Sequence, residues 1–560
     1  MGKDKQPPED SRAPDSEIHD HDNENSGSDG VSRRALLGSA AVGAALGALA
    51  TAGLSPENLL AAPKGQAGPP GGLPPGQAKK GIVLKNGIVL TMDPAGGDYA
   101  KADVRIEGSK IVAIGPNLGG DGATIDCTGM IVMPGFINTH HHQYYTIQRA
   151  VIADGLLNGN WPQETYNSVP SAIWTTGRLA IGGQTIWDLG RSPYDPEDCY
   201  ISELVASWGG INAGVTTGID TSQSSHTPEH TDAMIQGLMD SGRRTLYDYS
   251  AGRSDQPGYE YPGAIGNETS GIGRLRKQWF SSNDQLVTLG AQFAQAALWP
   301  LARHYGAPMV FHGGTADLVA NPNLAGPDQC IIHGTGNTDA VWQVLADKGV
   351  HISIAPAIEM QMGHGTPPFQ PALDRDILPS LSSDVDTNMT PDMFTLMRTA
   401  FCLQRLLVNP SQPYAHAGKP HVNCRTVLKM ATVAGAAAAG LSSKVGMLKV
   451  GMEADVILLS ARNIDTHPMM NAPGTVVTMM DRSHVDTVII GGTIKKQAGK
   501  LVGVDVEKLL TDVERAQERV LDRIHSKPIP VEGLHSAPGY TPRLLGSCCL
   551  ADEPYPNATP

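Results

Sequence analysis

The sequence predicts an α/β fold, a TIM-like (β/α)8 barrel inserted into a small β-sandwich, and three observations support this. Short β-patterned runs occur near both ends of the folded region, as in "GIVLKNGIVLTM" and "VDTVIIGGTIKKQAGKLVG". Between them, short apolar runs alternate with helix-length amphipathic stretches, which is typical of parallel strands joined by helical crossovers. The competing fold is a doubly wound sheet, but no GxGxxG turn follows an early strand.

The elements divide the folded region into three parts. Residues 80–133 and 447–505 share the texture of short strands and are expected to close into one β-sandwich. Residues 134–446 are expected to form the barrel, with strands in "MPGFIN", "AGVTTGIDT", "RRTLYDYSA", "APMVFHGG", "QCIIHGTG", "VHISIAP" and "LPSLSSDVD". Residues 506–560 begin with the amphipathic helix "VEKLLTDVERAQERVLDRI" and continue as a Pro-rich tail.

The first 62 residues resemble a bacterial twin-arginine (Tat) signal. The paired Arg33-Arg34 precedes a mild Ala/Gly-rich apolar run in "SRRALLGSAAVGAALGALATAG". A membrane-spanning helix is the alternative, and the four glycines of the run weaken it. We expect cleavage after Ala52 or Ala62, followed by a Pro/Gly-rich linker at 63–79. The implied partner is the twin-arginine export machinery, and the implied location is periplasmic or extracellular.

Composition excludes several classes of protein. The chain has 560 residues, a net charge of −14 and no Lys/Arg-rich stripe, so the electrostatic pattern of a nucleic-acid binder is missing. Its seven cysteines form no CxxC pair, which argues against a disulfide scaffold and a cysteine zinc site. A small-molecule substrate is therefore the expected partner, and the sequence leaves open whether the protein is a homo-oligomer.

Three consecutive histidines follow the first predicted barrel strand in "MPGFINTHHHQYY". Residues i and i+2 of a strand point to the same side, so His140 and His142 can present two imidazoles to one ion while His141 faces away. Neutral imidazole is a common ligand of zinc and iron. The pair therefore predicts the centre of a metal site.

Three further polar residues end apolar runs of the predicted barrel: His312, His333 and Asp384. Burying an unpaired imidazole or carboxylate at such a place is costly. Convergence of these side chains on a cation explains their positions.

Together these motifs resemble the amidohydrolase superfamily, in the branch of triazine hydrolases and cytosine- or guanine-deaminase-like enzymes. The resemblance rests on "MPGFINTHHH", "GVTTGIDT", the strand-end residues and "TVLKMATVAGAAAAGLSSKVGMLKVGMEADVILL", and it covers nearly all of residues 80–505. It implies one divalent metal ion, zinc or alternatively iron, with the ligands His140, His142, His312 and Asp384. It also implies catalytic roles for Asp384, which accepts a proton from the attacking water, and His333, which polarises the substrate.

The sequence departs from the resemblance at one position. Deaminases of this branch carry Glu three residues after the fifth-strand histidine, and Thr315 stands there. Threonine cannot store a proton near neutrality. Glu359 is the candidate substitute acid, with an exposed loop glutamate as the alternative, and His226 is a candidate at the barrel mouth, with a role at a helix start as the alternative.

The predicted function is metal-dependent hydrolysis of a non-peptide carbon–nitrogen bond in a small, cyclic or heterocyclic substrate. Two alternatives remain: an aminohydrolase (deaminase) of a heterocycle, and a non-catalytic, metal-stabilised binding protein. "RRTLYDYSA", taken as the fourth barrel strand, has no lysine to bridge a second ion as in binuclear relatives, which favours one metal.

Overall fold

The computed structural model describes residues 81–150, 194–250, 265–269, 271–409 and 422–523. The predicted export signal and linker lie outside the described residues. Within these ranges, none of the helices is both long and apolar enough to cross a membrane.

The first sheet has nine strands from both ends of the described chain. Its strands are β1 (Ile82–Val89), β2 (Tyr99–Glu107), β3 (Lys110–Gly115), β4 (Ala123–Asp126), β5 (Met130–Pro134), β14 (Val456–Ser460), β15 (Val485–Ile490), β16 (Thr493–Gln497) and β17 (Lys500–Leu501). Strand β14 pairs antiparallel with β5, with Leu458 opposite Val132. Alternate residues of these strands, including Leu84, Val104 and Val456, form a separate apolar core. The two ends of the folded region therefore join in one sheet domain.

The second sheet is an eight-stranded parallel barrel. Its strands, in sequence order and in spatial order, are β6 (Phe136–His141), β7 (Val215–Ser222), β8 (Arg244–Tyr249), β9 (Val287–Ala291), β10 (Met309–His312), β11 (Gln329–Ile332), β12 (His351–Ile354) and β13 (Ser380–Leu381). Inward-facing residues of these strands, such as Ile137, Ile219 and Val310, fill the barrel with apolar side chains. The predicted barrel within a β-sheet domain is confirmed.

Backbone hydrogen bonds close the barrel between its last and first strands. The N–H of Asp384 donates to the carbonyl of His140 at 3.0 Å, and the N–H of His142 donates to the carbonyl of Asp384 at 2.8 Å. His141 and Asp384 form the corresponding parallel bridge. The polar residues that follow β13 are therefore held beside those that end β6.

Helices alternate with the barrel strands and continue beyond them. They are α1 (Pro196–Asn212), α2 (Pro228–Ser241), α3 (Gly271–Gln278), α4 (Trp299–His304), α5 (Thr315–Ala320), α6 (Asp339–Lys348), α7 (Pro356–Gln361), α8 (Phe369–Leu373), α9 (Met393–Leu407), α10 (Cys424–Lys429), α11 (Gly435–Ala438), α12 (Ala472–Thr478) and α13 (Val506–Arg523). A 3₁₀ helix, Gln143–Gln148, follows the three histidines, and Met430–Ala434 is a π-helical segment. The predicted amphipathic helix after Asp505 is confirmed as α13.

One barrel strand was absent from the predicted set. Strand β9, "VTLGA", is only five residues long and contains a glycine, so its pattern is weak. Its presence shifts the count: "RRTLYDYSA" contains the third barrel strand, β8, and the assignment of this stretch to the fourth strand was wrong. The true fourth strand, β9, also has no lysine.

Candidate metal centre

Two of the three histidines at the end of β6 and just after it, His140 and His142, point to one place. His140 and His142 are 0% and 1% exposed, and their ring centroids lie 4.6 Å apart. Oδ1 of Asp384 lies 3.1 Å from Nε2 of His140 and 3.5 Å from Nε2 of His142. The period-2 geometry of the strand and the closure of the barrel together produce this convergence.

His312, at the end of β10, completes the cluster. Its ring centroid lies 4.6 Å from that of His140 and 5.2 Å from that of His142. The potential ligand atoms of His140, His142 and His312 all lie within 4.8 Å of one another. A second, overlapping group consists of His140, His333 and Asp384.

Each of the three imidazoles is hydrogen-bonded through its Nδ1 to a polar side chain. His140 Nδ1 lies 2.6 Å from Oγ1 of Thr221, and His312 Nδ1 lies 2.7 Å from the Gln292 amide nitrogen. His142 Nδ1 lies 3.3 Å from the hydroxyl of Tyr144, which donates in turn to Gln223. An Nδ1–H donated to such a partner orients an imidazole and leaves its Nε2 free for a metal. For His312 this requires the Gln292 amide to be turned so that its oxygen, not its nitrogen, faces Nδ1.

The residues present fit a divalent cation. Burial lowers the pKa of His140, and it holds the pKa values of His142 and His312 well below their usual range, so all three are neutral imidazoles as coordination requires. Two ligand atoms, each about 2.1 Å from a tetrahedral zinc ion, lie about 3.4 Å apart. The separations of 3.1 and 3.5 Å around Asp384 Oδ1 match that spacing.

Two residues of the centre adopt a left-handed backbone conformation. Asp384 has φ 62° and His333 has φ 66°. Such a conformation costs a non-glycine residue about 1–3 kcal/mol, although Asp and His tolerate it better than most residues do. Left-handed residues at the ends of β11 and β13 turn their side chains into the mouth of the barrel.

His333 lies between two carboxylates. Its Nε2 is 3.5 Å from Oδ2 of Asp384, and its Nδ1 is 3.0 Å from Oε1 of Glu359. Burial opposes a positive charge on His333, but the hydrogen bond that it donates to Glu359 and the charges of both acids raise its pKa overall. For Asp384, burial favours the neutral acid, but the bond from His140 and the surrounding imidazoles hold its pKa well below the usual range.

The structure decides between the alternatives for Glu359 and brings His364 beside His333. Glu359 is 0% exposed and lies in α7, so an exposed loop glutamate is wrong. The ring of His364 lies edge-on to that of His333 with centroids 4.8 Å apart, so this residue is not simply solvent-exposed. Burial lowers the pKa of His364 to about 4.

The other histidines of interest lie outside the two potential ligand groups. His141 faces away from the cluster, and its Nε2 bonds Asp386 at 2.8 Å. His226 is buried beside His230 at the start of α2, where Thr227 caps the helix as the helix-start alternative predicted. Neither His226 nor the half-buried Thr315, the first residue of α5, belongs to either potential ligand group.

Sequence reasoning missed the side chains that orient the imidazoles. Thr221 lies at the end of β7, and Gln292 directly follows β9. The signal that selected His312 and Asp384, a polar residue ending an apolar barrel strand, applies to both. Tyr144 and Gln223 carry no comparable signal because they lie in irregular or 3₁₀ segments.

Comparison with known proteins agrees with this geometry. A sequence profile of the amidohydrolase family matches residues 287–495. A 5'-deoxyadenosine deaminase of Methanosarcina mazei is 29% identical, over 80% of this chain and 99% of the relative. A 5-methylthioadenosine/S-adenosylhomocysteine deaminase of Pelotomaculum thermopropionicum is 25% identical, over 79% of this chain and 99% of the relative.

Solved structures share the fold. An adenosine deaminase of Xanthomonas campestris with bound zinc has a TM-score of 0.64 and 20% identity, and the match covers 78% of this chain and 98% of that one. An atrazine chlorohydrolase variant of Arthrobacter aurescens, in complex with zinc and atraton, has a TM-score of 0.63 and 20% identity, over 78% of this chain and all of that one.

The family match, the curated relatives and the buried His/Asp cluster lead to the same assignment. They support a metal-dependent hydrolase of the amidohydrolase superfamily that acts on non-peptide carbon–nitrogen bonds.

Proposed function

We propose that this protein is a mononuclear, zinc-dependent aminohydrolase that removes an exocyclic amino group from a nitrogen heterocycle. The observation that supports it most directly is the convergence of His140, His142, His312 and Asp384 at the barrel mouth. The curated relatives that match over almost their whole length are deaminases of adenosine-type nucleosides. A 6-aminopurine nucleoside is therefore the first substrate class to test.

Four side chains would hold the ion: His140, His142, His312 and Asp384. When bound, a divalent ion supplies Lewis-acid chemistry, because it lowers the pKa of water and so provides a nucleophile at neutral pH. Asp384 is ionised and buried, and it accepts the proton of the attacking water while it orients that water toward the substrate.

His333 is the second catalytic residue in this proposal. Its Nε2 lies 3.5 Å from Oδ2 of Asp384, where it takes up the proton that Asp384 accepts from the attacking water. The resulting Nε2–H then polarises the ring nitrogen or carbonyl next to the attacked carbon. His364, edge-on to His333, borders the same space and has a buried Nε2 with no hydrogen-bond partner among the described residues. It is placed to bind a donor group of the substrate.

Hydrolysis of a cyclic amide is the second candidate function, and Thr315 favours it. The resemblance expects a glutamate at this position to protonate the ring nitrogen in deamination, and a hydroxyl cannot replace it. Ammonia release separates the two candidates, because ring opening of a cyclic amide releases none.

His333→Ala tests the proposed function. With a 6-aminopurine nucleoside as substrate, we expect wild-type protein to release ammonia and the variant to lose about 10²- to 10⁴-fold in kcat, with metal content unchanged. The matched control is His304→Ala, because His304 is exposed at the end of α4. Unchanged turnover in His333→Ala would refute the role of His333.

We also propose export by the twin-arginine route, on the basis of Arg33-Arg34 and the apolar run that follows. Replacement of both arginines by lysine preserves the charge but removes the motif. Cell fractionation should then find the variant in the cytoplasm and the wild type outside it. Equal distributions would refute the proposal.

A further inference from the structure

Glu359 is a buried carboxylate that bonds the catalytic histidine instead of facing solvent. It is 0% exposed, and its Oε1 lies 3.0 Å from Nδ1 of His333 and 2.9 Å from the backbone nitrogen of Ala355. Removing a carboxylate from water costs several kcal/mol, about as much as good hydrogen bonds return. Glu359 therefore needs a role that justifies its burial.

The contacts of Oε1 define the direction of the hydrogen bond with His333. The Ala355 N–H can only donate, so Oε1 accepts there, and as the oxygen of an ionised carboxylate it accepts from Nδ1 of His333 as well. An acceptor at this position requires the hydrogen of His333 to lie on Nδ1. The Nε2 of His333 is then the atom directed toward Asp384 and the substrate space, at 3.5 Å from Oδ2 of Asp384.

Glu359 and the segment just after its helix contact His333 from two sides. The Glu359 side chain bonds the backbone N–H of Ala355, just before α7. The backbone carbonyl of Glu359 accepts a hydrogen bond from the N–H of His364 at 2.9 Å. The His364 ring meets the His333 ring edge-on.

We propose that Glu359 is the positioning residue of His333, which holds the Nδ1–H tautomer and directs Nε2 at the substrate. The inference rests on the proposed function, since it assigns a partner to the histidine that polarises the substrate there. It also changes the expected role of Glu359: this side chain does not replace the missing glutamate at position 315 by direct contact with substrate, but acts through His333.

Two substitutions test the proposal. In Glu359→Gln, the Ala355 N–H keeps the amide oxygen at the Oε1 position, because the opposite orientation would place two donors together. The acceptor for His333 is thus preserved, and we expect kcat to fall by less than about 10-fold. Glu359→Leu removes the acceptor, and we expect kcat to fall by about 10- to 100-fold, with little change in KM. Met360→Gln, an exposed neighbour on α7, is the matched control.

A second readout needs no substrate. In metal-loaded protein labelled with ¹⁵N-histidine, the ring-nitrogen signals of His333, assigned by their loss in His333→Ala, report the tautomer. We expect the Nδ1–H form in wild type and Glu359→Gln, and a shift toward the Nε2–H form in Glu359→Leu. Metal content should be unchanged in all three proteins, since Glu359 is no ligand.

The outcomes separate this inference from the proposed function. A tautomer unchanged in a folded Glu359→Leu protein would overturn the positioning role, whatever the activity. Equal losses of kcat in both variants would also overturn it. They would mean that the negative charge of Glu359 is what matters, and not the acceptor that it offers to Nδ1 of His333. If no heterocycle is turned over but the tautomer shifts as expected, the positioning role stands and the proposed function fails.

Discussion

Asp384 and His140 are joined twice, once through the backbone and once through their side chains. The N–H of Asp384 donates to the carbonyl of His140 at 3.0 Å, and Oδ1 of Asp384 lies 3.1 Å from Nε2 of His140. The first contact closes the barrel, and the second brings the acid into the imidazole cluster. The same strand pairing that completes the fold therefore assembles the candidate metal centre.

The double substitution His140→Ala/His142→Ala should remove the metal. Two of four proposed ligands are lost, and a divalent ion with two protein ligands is held weakly. Elemental analysis of protein purified without added metal should find about one zinc ion per chain in wild type and close to none in the variant. His304→Ala should retain the wild-type content. Metal that persists in the double variant would show that these histidines are not the site.

Thr221→Val should weaken metal binding without removing a ligand. Valine has nearly the shape of threonine but cannot accept the hydrogen bond from Nδ1 of His140, which is 2.6 Å long. We expect the metal affinity to fall by about 10- to 100-fold, measured by competition with a chelator. Thr221→Ser keeps the hydroxyl and should stay close to wild type. Equal affinities for the valine and serine variants would argue against an orienting role.

A buried carboxylate on β7 should make stability depend on pH. Asp220 is 0% exposed beside Glu203, and burial raises its pKa from 3.8 to about 7. The folded state then binds more protons than the unfolded state between these values, so this group lowers the free energy of unfolding as the pH rises from 4 to 7. Asp220→Asn should therefore show a smaller loss of Tm between pH 5 and pH 8 than wild type, as measured by thermal unfolding.

The control for this measurement is Asp347→Asn, because Asp347 is exposed on α6. Its pH dependence should equal that of wild type. If Asp220→Asn loses as much Tm across the same pH interval as wild type, Asp220 does not titrate there.

The packing of the C-terminal helix α13 against α1 should depend on one buried carboxylate. Asp198 in α1 is 0% exposed and accepts hydrogen bonds from Arg519, the shorter at 2.8 Å, and from Arg523. Asp198→Ala leaves both guanidinium groups without this acceptor, and we expect a loss of about 2–4 kcal/mol in the free energy of unfolding. Limited proteolysis should cut within α13 sooner than in wild type.

Glu197→Ala is the matched control, because Glu197 contacts Arg519 at 3.5 Å but its side chain is 62% exposed. Exposed ion pairs contribute about 0–1 kcal/mol, so this variant should resemble wild type. Similar proteolysis of both variants would mean that Asp198 does not anchor the helix.

The sequence by itself determined the features that depend on local periodicity. The alternation of side chains along a strand placed His140 and His142 on one side and His141 on the other, and the polar ends of the apolar runs marked His312, His333 and Asp384. The 3.6-residue pattern after Asp505 predicted α13 equally well. These features depend only on residues that are close together in the sequence, so they can be predicted without knowledge of the fold.

Only the tertiary structure decided which distant side chains meet. Glu359 is 26 residues from His333 in the chain, and Thr221 is 81 residues from His140. No local pattern distinguishes a glutamate buried beside His333 from one on an exposed loop, because the residues around it in the chain are the same in both cases. Burial decides between them, since strands β11 and β12 pack side by side and bring α7 over the barrel mouth.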